Sequence, residues 1–275
     1  MLHKRVTTEN RSNSASYCDT EETAISRREE EVMRLKSLVK NLVNFILKPA
    51  GFSVVPSKSI QDYYLHKYSS YEEYAHVQIH WNKVKLNNIW ADEGTLNRVR
   101  DILISEFGDA EKINGICHGT RNGFEQNFLR SLSKTFDVIG TDISETATDY
   151  ENSVQWDFHN VNPAWSGNQD FVYTNSLDQS WQPHVAVETW LSQLKENGIL
   201  IIEHTHAHGP SGASEMDPFG VKPTVMPYVL TMWFGSQISI SHSVAKKSNM
   251  DKDSWLFVLK KNQHSVSLIK SDALV

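Results

Sequence analysis

Three histidines alternate along Glu203-His204-Thr205-His206-Ala207-His208-Gly209. Imidazole titrates nearest neutrality of all side chains, so a well-placed one suits proton removal from a reacting group. On extended backbone the alternation aims His204, His206 and His208 to one side, and His204 and His206 are the first candidates for a general base. The same spacing suits a metal reading, with Glu203 or Asp217 as carboxylate partners. Loop histidines without an ion are the simpler reading, and no metal is assigned. A second group lies upstream. His118-Gly119-Thr120-Arg121-Asn122-Gly123 separates a strand-like run from a helix-like one, which puts free N–H groups and a helix N-terminus beside a ligand. Asp142 ends the next strand-like run, 23 residues beyond Gly119, close to the roughly 20-residue offset at which a carboxylate takes ribose hydroxyls.

These groups need a scaffold. Ile113–Cys117, Asp137–Asp142, Asp170–Asn175 and Ile199–Glu203 read as buried strands of a parallel sheet. Open sheets of this kind bind ligands beyond the carboxyl ends of their strands. Gln237–Val244 alternates apolar and polar, and a polar turn from Lys246 to Asp253 leads into Trp255–Lys260, together a β-hairpin. Upstream, Tyr71–Asn87 is expected to be helical, and a second helix runs from a Thr95 N-cap to Gly108. Tyr63, Tyr64, Tyr68, Tyr71, Tyr74, Trp81 and Trp90 crowd this region, as core or as the wall of a pocket under a lid. Phe52–Pro56 reads as a short strand or an extended linker. Val32 to Leu47 recurs at helical spacing within an amphipathic helix over 29–48, suited to docking on the main domain or a sister subunit, or to a membrane surface.

In this order the segments resemble class I S-adenosylmethionine-dependent methyltransferases over about residues 94–262, the small-molecule, type 11-like branch. They are the glycine loop, Asp142, Gln155-Trp156-Asp157-Phe158, Asp170 through Asp178, and Leu194-Lys195-Glu196-Asn197-Gly198 with its strand. The resemblance implies an α/β Rossmann-like sandwich whose mostly parallel seven-stranded sheet ends in an antiparallel hairpin. It implies S-adenosyl-L-methionine as cofactor, held by His118, Gly119, Thr120, Arg121, Gly123, Asp142, Ile143, Trp156, Asp157, Phe158, Asn175 and Ser176. Asp157 would take the adenine amino group, with Trp156 or Phe158 on the ring. Asp178, in the loop set beside the sulfonium, joins His204 and His206 as a catalytic candidate. The chain departs from the family at Cys117, where an acidic residue is usual, and has two loop glycines in place of three. Arg121 is suited to clamp the cofactor's carboxylate or to pair with Glu125. The lead-in from Tyr71-Glu72-Glu73-Tyr74 to Trp90 resembles methyltransferases associated with glycan assembly, which points to O-methylation, less readily N-methylation, of a small polar acceptor such as a sugar. The altered loop also leaves open a non-catalytic scaffold. A nicotinamide-dependent oxidoreductase fits the glycine spacing and terminal hairpin less well.

Composition bounds these readings. The 275 residues suit one large domain and an appendage: a polar tail over 1–28, a helical extension or lid over 29–92, the methyltransferase domain over 93–264, and a tail over 265–275. Lys+Arg 27 against Asp+Glu 33 gives a net charge of −6, which disfavours nucleic acid as partner. Cys18 and Cys117 are the two cysteines, so no disulfide framework is expected. With no secretory signal or apolar run of about 20 residues, a soluble, cytoplasmic protein is expected, with homo-oligomerisation through the N-terminal helix as a further expectation.

Overall fold

A computed structural model describes residues 34–55, 57–108, 110–247 and 252–262. The expected tails over 1–28 and 265–275, Cys18 and the start of the N-terminal helix lie outside the described residues. The chain divides into two compact units, Met1–Ser57 and Lys58–Val275. In the first, helix α1 (34–47) gives way to a 3-10 turn at Lys48–Ala50. Pro49 cannot continue the helical ladder, and Gly51, at φ 81°, closes the turn by donating its N–H to the Lys48 carbonyl. Residues 52–55 join no strand.

The short helix α2 (Ser57–Ile60) starts on the last residue of the first unit, and the second continues through strand β1 (Tyr63–Leu65) and helices α3 (Tyr71–Val84) and α4 (Glu93–Phe107). The N-cap of α4 is Asp92 and not Thr95, because the Asp92 carboxylate accepts the Thr95 N–H at 2.7 Å. There follow β2 (Ile113–His118), α5 (Phe124–Leu132), β3 (Phe136–Asp142), β4 (Ser153–Gln155), β5 (Gln169–Thr174), α6 (Pro183–Gln193), β6 (Leu194–Thr205), β7 (Phe219–Val221), α7 (Met226–Phe234), β8 (Ile238–Lys247) and β9 (Lys252–Lys261). Seven strands form one sheet in the order β4-β3-β2-β5-β6-β9-β8. β4, β3, β2, β5 and β6 are parallel, and β9 runs antiparallel to both β6 and β8. This is the expected sheet with its terminal hairpin.

The central strands read as apolar runs because both faces are covered. On one face Trp190, Val187, Phe219 and Leu230 pack over Val172, Leu200 and Ile202. On the other Leu96, Val99, Leu103 and Leu129 pack over Cys117, Tyr173 and Ile201. Each such large apolar side chain contributes about 1.5–3 kcal/mol by burial. Packing between β2 and β5 leaves no room for a side chain at Gly115, where a Cβ would stand 2.1 Å from the Phe171 ring. Gly115→Ala is therefore expected to cost about 1–3 kcal/mol by overpacking, a fall in Tm of roughly 2–12 °C for a unit of this size. A thermal melt measures it, and an unchanged Tm would refute it.

A two-stranded sheet, β1 against β7, pairs Tyr63 with Val221 and Leu65 with Phe219. It ties the segment leading into α3 to the loop that follows β6. Lys58 Nζ adds a bond to the Ala213 carbonyl, and the Tyr68 hydroxyl bonds that of Glu215.

Candidate active site

The strand order reverses at β2, which pairs with β3 on one side and β5 on the other. That leaves a crevice at the carboxyl ends of the strands. The chain leaves β2 through Gly119, at φ 74°, where a Cβ would stand 2.4 Å from Ser176 Oγ on the adjoining loop. Glycine is required here for both backbone angle and closeness. Arg121 is non-glycine yet sits at φ 48°, a conformation that costs on the order of 1–3 kcal/mol. Its backbone N–H donates to Asp142 Oδ2 at 3.0 Å, and its guanidinium to the carbonyls of Lys85 and Asn88. Those contacts fix the loop.

Asp142 ends β3 and is buried, which raises its pKa against the opposing pull of the Ser144 and Arg121 N–H groups. Its Oδ1 accepts from Ser144 N at 3.0 Å and from Asn82 Nδ2 at 2.7 Å. Asn82 comes from α3, which lies across the crevice. Tyr71, Tyr74, Gln78 and Asn82 recur at helical spacing and share one face. Ser70 caps the helix by accepting the Glu73 N–H. The Tyr71 hydroxyl donates to Asp157 Oδ2 at 2.8 Å, Tyr74 stacks on Trp181, and Gln78 donates to the Met216 carbonyl. Burial pushes Asp157 up, but the bond and charge of His159, 2.7 Å from its Oδ1, outweigh this and leave its pKa lowered. Between Asp142, Ile143, Asp157 and Phe158 below and Tyr74, Trp81 and Asn82 above, the cleft holds about 30 Å³. That is room for a few waters.

Beside it lies a larger chamber of about 270 Å³. Gly119, Thr120, Arg121, Glu125, Asn175 and Ser176 form one wall, and Trp90, Asp178, Ala207, His208 and Asp217 another. Three of its carboxyls are displaced upward to about 7. Burial is the main cause for Glu125 and Asp178, and burial with the neighbouring Asp178 charge for Asp217. Glu125 Oε1 accepts from Asn175 Nδ2 at 3.1 Å. His208 Nε2 stands 3.7 Å from Asp178 Oδ2, and its ring lies 5.3 Å from that of Trp90.

The crevice thus collects Gly119, Thr120, Arg121, Asp142, Ile143, Asp157, Phe158, Asn175, Ser176 and Asp178 from the sequence candidates. It does not collect the rest. His118 is buried behind the strand ends, stacked on Trp190 with its nitrogens on Thr141 Oγ1 and Gln193 Oε1, and burial lowers its pKa to about 4. Gly123 caps α5. Trp156 donates to the Asn160 carbonyl and packs on Trp165. The expected one-sided row of histidines is broken because the chain turns into a 3-10 helix at His206–His208. His204 stays in β6, its Nε2 on the Val221 carbonyl and its pKa lowered by burial to about 3. His206 is exposed, and only His208 lines the chamber. Arg121 reaches carbonyls, with no bond to Glu125. Among the described residues no three His, Cys, Asp or Glu side chains converge as metal ligands.

Sequence reasoning followed the apolar positions of α3 and passed over its Gln78 and Asn82. The overlooked signal was a helix face of tyrosine, glutamine and asparagine where a core-facing helix carries aliphatics. Glu125 carried no such signal, since an acidic residue in a first helical turn is ordinary.

No protein-family model matches the sequence, and no curated protein is detectably similar to it. Solved structures share its fold. The 1,6-didemethyltoxoflavin-N1-methyltransferase of Burkholderia thailandensis, solved with 1,6-didemethyltoxoflavin and S-adenosylhomocysteine, aligns at a TM-score of 0.55 and 11% identity, over 72% of this chain and 92% of its own. The plantazolicin methyltransferase BpumL, solved with a triazolic desmethylPZN analog and S-adenosylhomocysteine, gives 0.53 at 11% identity, over 70% and 96%. The chain has the class I S-adenosylmethionine-dependent methyltransferase fold.

Proposed function

We propose that the chain is an S-adenosylmethionine-dependent methyltransferase acting on an oxygen of a small polar acceptor, such as a sugar or a glycosylated metabolite. The observation that carries this is the row of buried carboxyls, Asp157, Asp142, Glu125 and Asp178, along the carboxyl ends of the parallel strands and around the Gly119 turn. The donor set fits the cofactor. Asp142 would hold the ribose, and Asp157 with Phe158 and Ile143 the adenine. The wall of Gly119, Glu125, Asn175 and Ser176 would hold the amino acid end. When bound, the cofactor supplies an electrophilic methyl on a sulfonium.

The chain's own residues do the rest. Trp90 offers a ring face to the acceptor, Asp217 bonds a hydroxyl, and His208 takes the acceptor's proton while Asp178 orients and charge-balances the imidazole. Holding both reactants in line supplies on the order of 7–11 kcal/mol of barrier reduction in well-oriented systems. The β1–β7 clamp and α3 keep water out. An acceptor nitrogen is the second reading, favoured by three carboxyls in one chamber, which would equally hold an amine.

Calorimetric titration with S-adenosylmethionine and S-adenosylhomocysteine, with NADH as control, tests this. Both sulfur ligands are expected to bind at micromolar concentration and NADH is not. At pH 6, below the value of about 7 for Glu125, Asp178 and Asp217, these carboxyls hold protons. The sulfonium favours their ionised forms, so S-adenosylmethionine should release more protons than S-adenosylhomocysteine, read from the dependence of heat on buffer. Absence of binding by either sulfur ligand would reject the reading in favour of a scaffold.

A further inference from the structure

We infer that α1 docks the protein on an anionic lipid surface, lying in the plane of the bilayer interface. Leu35, Leu38, Val39, Leu42, Phe45 and Ile46 are 54–79% exposed, and none of the described residues of this unit is buried. At 3.6 residues per turn these side chains fall on one arc, which Val43 and Leu47 extend to about 200° of the helix circumference. The remaining arc of the helix carries Arg34 and Lys40 with Ser37, Asn41 and Asn44, Lys36 lies just inside one edge of the apolar arc, and Lys48 follows in the 3-10 turn. Phe52, Val54 and Val55 follow, also exposed.

Charge decides the occupant. From Val32 to Gln61 there is no carboxylate side chain, in a chain with 33 Asp and Glu and a net charge of −6. Arg34 and Lys40 stand at the two borders of the apolar arc, with Lys36 just inside the second. Pairing two copies through that arc sets cation beside cation within this stretch, where coiled-coil pairing needs opposite charges. An anionic bilayer meets both demands. Its acyl boundary takes the apolar face to a depth of about 5–10 Å, and long cationic side chains reach back to the headgroups. Among the described residues no helix is long and apolar enough to cross a membrane, so contact is by the face of the helix. A helix of this length is marginal alone in water and gains order at the interface.

The test is co-sedimentation of the full chain with vesicles of phosphatidylcholine alone and of phosphatidylcholine with phosphatidylglycerol. Binding is expected to the anionic vesicles, to weaken with salt, and to raise helical circular dichroism. Lys36→Gln with Lys40→Gln should weaken it roughly 30-fold, given the usual gain per cation near such a surface. Leu38→Ser with Leu42→Ser should abolish it. Both double variants should keep the wild-type Tm, since they remove no buried contact. Absence of binding, or equal binding to neutral vesicles, would overturn the inference. So would a stable dimer by light scattering that Leu38→Ser with Leu42→Ser dissolves, which assigns the face to a second copy.

Discussion

His208→Ala is expected to lower turnover by about 10²–10⁴-fold, the usual contribution of a positioned base, while S-adenosylmethionine affinity stays within about threefold. His208 is the one histidine of its segment that lines the chamber, and its Nε2 lies 3.7 Å from a carboxylate. His206→Ala, at an exposed position, is expected to keep full activity. The pH profile separates catalysis from scaffolding. Burial holds the Asp178 proton up to about 7, and only the ionised carboxylate can balance an imidazolium. kcat/KM should therefore rise with pH through about 7, and Asp178→Asn should remove that limb along with most of the rate. Single-turnover kinetics on an acceptor found by screening, beginning with sugars, provides the readout. Full activity in His208→Ala would end the assignment, and loss in His206→Ala would return the role to the exposed histidine.

Asp142→Ala and Asn82→Ala are expected to move cofactor affinity in opposite directions. Asp142 would accept two hydrogen bonds from the ribose hydroxyls on its carboxylate, each worth about 1.5–3 kcal/mol, so its loss should weaken S-adenosylmethionine and S-adenosylhomocysteine alike by about 100-fold or more. In the structure one of those positions is taken by the Asn82 amide at 2.7 Å, and the cleft above holds about 30 Å³. An adenosine seated on Asp142 would displace the Asn82 amide. Asn82→Ala removes that competing bond and should tighten both ligands about fivefold to tenfold. Calorimetry reads both values, and a thermal melt checks that Asp142→Ala, which also releases the Arg121 and Ser144 N–H groups, remains folded. Unchanged affinity in Asp142→Ala would refute the ribose assignment. Weaker binding in Asn82→Ala would make the amide a cofactor ligand instead of a competitor.

The sheet was legible because its signals are local. Apolar runs such as Ile199-Leu200-Ile201-Ile202 mark strands covered on both faces. A glycine turn after β2 and an acidic end on β3 recur at a spacing that one strand-helix-strand unit fixes. The alternation of β8 and the apolar run of β9 announce the hairpin in the same way. Asp142 and the Gly119 turn were legible from such short-range pattern in the sequence by itself, and Asp157 from the resemblance of its segment to the methyltransferase family.

The tertiary structure decided which side chains meet. Asn82 reaches Asp142 across 60 positions of chain, and Tyr71 reaches Asp157 across 86, distances over which no periodicity in the sequence carries information. Glu125, Asp178, His208 and Asp217 leave four different elements and converge because the strand order brings those loops to one edge. Three residues of 3-10 geometry after Thr205, His206–His208, were enough to turn His208 into the chamber and leave His206 in solvent. A strand's alternation lasts only as long as its extended backbone, and where it ends is set by the packing of the loop against β7 and α3.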